Sequence, residues 1–96
     1  MVRPRLCRRV RFSPRSDYFK PRGIPLRELQ EVVLTVDELE SLRLHDLESL
    51  SQEECAKKMN ISQSTFNRLV IVARKKMTEA IVKGKSLKIE GGNYKR

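Results

Sequence analysis

All four prolines of this chain, Pro4, Pro14, Pro21 and Pro25, fall within its first 25 residues. Each lacks the N–H that a helix interior needs and pushes the residue before it out of the helical region. No long helix can form there, so helices must come from the remaining residues. Within the proline-rich stretch Arg9-Val10-Arg11-Phe12 alternates polar and apolar side chains, and residues 86–90 (Ser-Leu-Lys-Ile-Glu) do the same. Period two marks a half-buried strand. The expectation is that these two segments pair with each other, giving a small two-stranded β element from the N- and C-terminal segments that rests on a helix.

Helical signals begin at Thr35-Val-Asp-Glu38, which reads as a capping box. Val36, Leu39, Leu42 and Leu47, with Leu44 flanking, then predict a helix over 36–48. Its acids read as a solvated face and His45 as exposed. A second capping box, Ser51-Gln-Glu-Glu54, opens a short helix carrying Cys55, Ala56 and Met59 on one face. It ends at Asn60, a residue that tolerates the left-handed conformation. Ser62 then caps a helix from Gln63 to Lys83, with Phe66, Leu69, Val70, Ala73, Met77 and Ile81 inward and Gly84 as its stop. With 96 residues there is room for one core only. The fold class expected is mainly α: a three-helix bundle containing a helix-turn-helix, organised as one domain. Residues 1–25 form a basic arm, 36–83 the helix-turn-helix core, and 84–96 a C-terminal strand and tail.

Charge is distributed unevenly along this frame. Residues 1–22 hold eight Lys/Arg against one acid, residues 23–54 two against nine, and residues 55–96 eleven against two; the net charge is +9. Basic ends of this kind point to a polyanionic partner. No run of 18 apolar residues and no apolar leader is present, so neither a membrane partner nor export is expected and the location read from the sequence is cytoplasmic.

The helix–turn–helix spacing over 52–71 carries the functional reading. Ala56 is small where a second helix crosses, and Cys55, Met59, Ile61, Phe66 and Leu69 fix the angle. Gln63, Ser64, Asn67, Arg68 and Ile71 are left on the outer face of the second helix as base-contacting candidates. Gln and Asn suit adenine, Arg suits guanine, and an apolar side chain meets the thymine methyl group. Ser51, Gln52, Ser62, Thr65, Arg74 and Lys75 are candidates for phosphate contacts at helix N-termini and along the basic flank. Arg3, Arg5, Arg8, Arg9 and Arg11 form an arm suited to phosphates or a narrow minor groove.

The stretch from Val36 through Lys83, with Leu50-Ser51-Gln52-Glu53-Glu54-Cys55-Ala56 at its centre, resembles region 4 of the sigma-70 class. More of the chain resembles a prokaryotic family, domain of unknown function 134. The matching motifs are Arg3-Pro4-Arg5 with Cys7-Arg8-Arg9, Tyr18-Phe19-Lys20-Pro21, Gly23-Ile24-Pro25-Leu26, Leu50-Ser51-Gln52-Glu53-Glu54 and Ile89-Glu90-Gly91-Gly92-Asn93-Tyr94. These resemblances imply a DNA-binding helix-turn-helix protein without an assigned target. The resemblance also implies that some members carry an added domain similar to dinitrogenase cofactor-biosynthesis proteins.

Other residues point away from chemistry. Cys7, Cys55 and His45 lack the short spacing of a zinc site, so no metal and no cofactor is expected. Cys55 reads as a small core residue and Cys7, among arginines, as the more reactive thiol. Tyr18 and Phe19 read as an apolar cover, and residues 91–94 as a turn that docks Tyr94. No nucleophile–base or paired-carboxylate arrangement supports an enzyme. The partner expected is double-stranded DNA, with transcriptional regulation as the consequence; a second copy of the chain would make specific binding to a repeated site easier to explain, but the spacing leaves the oligomeric state open. The alternative is a protein-interaction module whose acidic helix docks on the transcription machinery while the basic ends tether DNA or RNA.

Overall fold

The computed structural model describes residues 7–95. Along the chain run β1 (Arg8–Arg9), β2 (Tyr18–Phe19), a 3-10 turn (Leu26–Glu28), β3 (Glu31–Leu34), α1 (Val36–Leu42), a π-helical turn (Arg43–Leu47), α2 (Gln52–Met59), α3 (Gln63–Lys83), β4 (Ser86–Ile89) and β5 (Tyr94–Lys95). Mainly helical, the chain adds two small sheets. In the larger, β4 is central, antiparallel to β2 and parallel to β3; in the smaller, β1 runs parallel to β5.

The expected pairing of residues 9–12 with 86–90 does not occur. Both edges of β4 are occupied, one by β2 and the other by β3, a strand the sequence reading missed. In β3, Val32 and Leu34 are buried while Glu31 and Val33 face out. That alternation places Val32 and Leu34 with Leu87 against Ala73 and Ala80 of α3. Val10 turns instead into a separate cluster with Val36 and Ile89, and its N–H donates to the Lys95 carbonyl at 2.9 Å. Tyr94 packs on this cluster after the turn at Gly91 and Gly92, both at positive φ. Tyr18 covers the larger sheet, its hydroxyl donating to Ser86 Oγ at 3.1 Å.

The helix starts follow their caps. Thr35 and Ser51 each close a reciprocal capping box, with Glu38 and Glu54 respectively, and Ser62 accepts from the Thr65 N–H. Asn60 at φ 58° and Gly84 at φ 64° end α2 and α3 in the left-handed region. After Arg43 the first helix widens: the Glu48 N–H reaches back five residues to the Arg43 carbonyl at 2.9 Å, and Ser49 turns to positive φ. The wider turn shifts the angular register, so Leu44 enters the core and Leu47, placed inward by regular helical spacing, stands 76% exposed. Ile81 is likewise turned out, at 75% exposure, because α3 meets the sheet through Ala73, Met77 and Ala80.

Of the acids in the helix predicted over 36–48, Asp46 and Glu48 are exposed as expected, but those of α1 form no solvated face. Asp37, Glu38, Glu40 and Ser41 are all buried, since α1 lies between α3 on one side and β1 with the 91–93 turn on the other. Each carboxylate has a cation: Arg8 on Asp37 at 2.9 Å, Lys76 on Glu38 at 2.7 Å, and Arg43 on Glu40 at 2.6 Å. Glu40, wholly buried, also accepts from the Arg11 N–H at 2.9 Å. The Arg43 guanidinium in turn stacks over Phe12, 5.1 Å from its ring centre. A buried charge costs several kcal/mol to desolvate, and these acids are tolerated only because they are paired and hydrogen-bonded.

Replacing Glu40 with Ala should therefore lower unfolding free energy by about 2–4 kcal/mol, stranding the Arg11 N–H and the Arg43 guanidinium. The exposed pair Asp46–Arg74, broken by Asp46→Asn, should cost under about 1 kcal/mol. Urea denaturation of both variants checks the contrast. At Asn60, Gly should be tolerated to within a few tenths of a kcal/mol, whereas Val should cost about 1–2 kcal/mol in the same assay.

Candidate nucleic-acid interface

The corner between α2 and α3 is held by one apolar cluster: Leu44, Cys55, Ala56, Met59, Phe66 and Val70, all buried. Ala56 leaves room for α3 to approach. The Ile61 N–H closes the corner on the Ala56 carbonyl at 3.0 Å. His45, half-buried and not exposed as its acidic surroundings suggested, meets Phe66 edge-on with ring centres 6.0 Å apart and donates from Nδ1 to the Leu50 carbonyl at 2.7 Å. Burial pushes the Cys55 thiol above its ordinary pKa, so it stays protonated in the core. Cys7, by contrast, is exposed.

With Phe66, Val70 and Ala73, joined by half-buried Leu69, anchoring the inner face of α3, the opposite face is turned out. Gln63, Ser64, Asn67, Arg68 and Ile71 are all exposed, and together they line the first three turns of the helix. Ile71 is 55% exposed, a large apolar group kept at the surface beside polar neighbours. Gln52 of α2 reaches across the corner, its Nε2 donating to Asn67 Oδ1 at 3.3 Å. Arg68 and Lys75 are exposed and, among the described residues, make no ion pair within 4 Å.

The remaining candidates divide by what already holds them. Ser51 and Ser62 spend their hydroxyls on capping their own helices. The first turn of α2 carries Glu53 and Glu54, while that of α3 has no acid, so the α3 N-terminus alone presents uncompensated positive potential. Thr65, half-buried, receives a bond from Ser62 Oγ at 2.8 Å. Arg74 is bound to Asp46 through two contacts, at 2.6 and 3.1 Å. The Arg74 guanidinium beside Asp46 holds its carboxyl below the usual range, so the pair stays ionised at neutral pH and opens only as the pH falls below that lowered value. Lys76, third of the basic triplet, is committed to Glu38.

The arginine arm is divided too. Arg8 is held inside by Asp37, whereas Arg9 and Arg11 are exposed; Arg3 and Arg5 lie outside the described residues. Because β1 pairs with β5 beside α2, Arg8 borders a polar notch shared with Lys57, Asn60, Ser62, Thr65 and Asn93 at the N-terminal end of α3. Lys57 and Asn93 did not emerge from the sequence. Lys57 lies on the outward side of α2, and Asn93 reaches the corner only through the pairing of the chain's two ends.

The comparisons with known proteins cover this whole arrangement. A family model described as "Protein of unknown function DUF134" matches residues 1–96. A UPF0251 protein of Moorella thermoacetica is 54% identical over 94 residues, which are 98% of this chain and 63% of that protein. One from Caldanaerobacter subterraneus subsp. tengcongensis is 56% identical over 95 residues, 99% of this chain and 80% of the relative. A third, from Clostridium botulinum, is 53% identical over 94 residues, 98% of this chain and 60% of the relative. The chain thus spans between about three fifths and four fifths of these relatives' own length. No solved structure matches it. The match of the full length to one family model, together with identities above one half over 94 and 95 residues, establishes that this chain belongs to the DUF134 (UPF0251) family.

Proposed function

We propose that the α2–turn–α3 corner is a helix-turn-helix that binds double-stranded DNA in a sequence-specific way, with residues 63–71 of α3 in the major groove. The observation that carries the reading is the outer face of α3: Gln63, Ser64, Asn67, Arg68 and Ile71 are exposed together on a helix whose opposite face is fully anchored. Their chemistry spans the edges of the base pairs: amides for adenine, a guanidinium for guanine and an aliphatic group for the thymine methyl. Phosphates flanking that groove meet the acid-free N-terminus of α3 and Thr65 on one side and Lys75 on the other. Ser51 and Gln52 contribute less, because Glu53 and Glu54 oppose an anion there. Arg74 joins once phosphate replaces Asp46, and Arg9 and Arg11 extend the basic surface.

In this reading the chain is a transcriptional regulator acting inside the cytoplasm, without catalysis, metal or cofactor, and a second copy on a repeated site supplies the length of a specific operator. Among the described residues no helix is long and apolar enough to cross a membrane. Docking of the transcription machinery on the acidic helix predicted over 36–48 would have to use Asp46 and Glu48, which are exposed, since Asp37, Glu38 and Glu40 are buried in internal ion pairs.

Selection from a random duplex pool, followed by titration of the recovered sequence and a scramble at several salt concentrations, tests the reading. A recurrent motif bound some 10³-fold tighter than the scramble is expected; equal, steeply salt-dependent binding of both would refute it. Arg68→Ala and Asn67→Ala should each cost about 1–3 kcal/mol on the recovered site and relax preference at one base pair. Lys75→Ala should weaken all duplexes alike and reduce the slope of log K against log salt by about one.

A further inference from the structure

A groove of about 840 Å³ runs between residues 12–21 and the C-terminal half of α3, at the other end of the helix from the proposed DNA-reading face. Leu39, Met77, Ala80 and Leu87 give it an apolar lining, and Phe19 and Ile81, 52% and 75% exposed, stand among its walls. Its volume lies in the range of sites that enclose small organic molecules. Arg15, Lys20 and Lys85 also line it. Lys85 is neutralised by Glu79 at 2.8 Å. Among the described residues, Lys20 bonds only to the carbonyls of Pro21 and Ile24, and Arg15 makes no ion pair. This contrasts with Arg8, Arg43 and Lys76, each of which sits on a carboxylate.

Two uncompensated cations beside an apolar groove select the occupant. A second copy of a chain whose net charge is +9 would bring further positive charge to Arg15 and Lys20. An apolar body bearing one negative head satisfies both features. We propose that this groove binds a small amphiphilic carboxylate, its apolar part on Met77, Ala80 and Leu87 and its carboxylate between Arg15 and Lys20. The site is separate from the DNA reading and does not depend on it.

Calorimetric titration of the full chain with dodecanoate, kept below its micelle concentration, tests the proposal, with dodecylammonium as the same tail carrying the opposite charge. One saturable site for dodecanoate is expected, at least about tenfold weaker for dodecylammonium and at least about tenfold weaker in Arg15→Glu/Lys20→Glu. Both substituted side chains are exposed, and far-ultraviolet circular dichroism verifies the fold; Arg15→Gln/Lys20→Gln serves if the charge-reversed chain does not fold. Equal binding of the two amphiphiles, absence of saturable binding, or affinity unchanged by the charge variants would overturn it. So would a dimer in sedimentation equilibrium that Ile81→Asp alone dissociates. None of these readouts involves DNA, so failure here leaves the interface on α3 untouched.

Discussion

Three carboxylates on a seven-residue helix hold this molecule together. Asp37, Glu38 and Glu40 point from α1 in different directions, toward the N-terminal strand, α3 and the residues following the helix. Each is desolvated and each meets its own cation, so the position of one element fixes those of its neighbours. Ion pairs of this kind add little net stability compared with apolar packing, but breaking one leaves a buried charge. Their effect is to fix arrangement: Arg8 can be neutralised inside only if β1 lies against α1, and Lys76 only if α3 crosses at the observed angle.

The helical corner follows from that arrangement and from local rules that agree with it. Two capping boxes, a left-handed Asn60 and a glycine at the end of α3 set the helix boundaries, and the Phe66 cluster sets the angle between them. Because the inner face of α3 is so completely used, its outer face is free of structural duty over residues 63–71. A surface relieved of packing can carry recognition chemistry at little cost to the fold.

Much of this was legible in the sequence. Caps, turn residues and the 3.6-residue period are local signals, and they located α2 and α3, their bounds and the outward residues of α3. What eluded the sequence depends on contacts between distant segments. The partner of β4 is β3 rather than residues 9–12, and no pattern within either segment encodes which strand wins an edge. The acids of α1 look like a solvated face by composition, and only the approach of Arg8 and Lys76 from opposite ends of the chain makes their burial tolerable. The π turn cost one further inference, since a five-residue hydrogen bond shifts the inward face away from Leu47 toward Leu44. Among the proposed contacts, the same non-local pairing separates Arg74 and Arg8, already bound to acids, from Arg68 and Lys75.

The parallel pairing of β1 with β5 joins segments from nearly opposite ends of the described chain. Loop closure over so great a separation is entropically expensive and comes late in folding. On a translating ribosome the α2–α3 corner, built from nearby residues, can form while β5 is still unmade. Until β5 is in place, Arg8 lacks the strand that holds it beside Asp37. Pairing of β5 with β1 then fixes Arg8 beside Asp37, so the strand that closes the smaller sheet also sets which cations the surface displays.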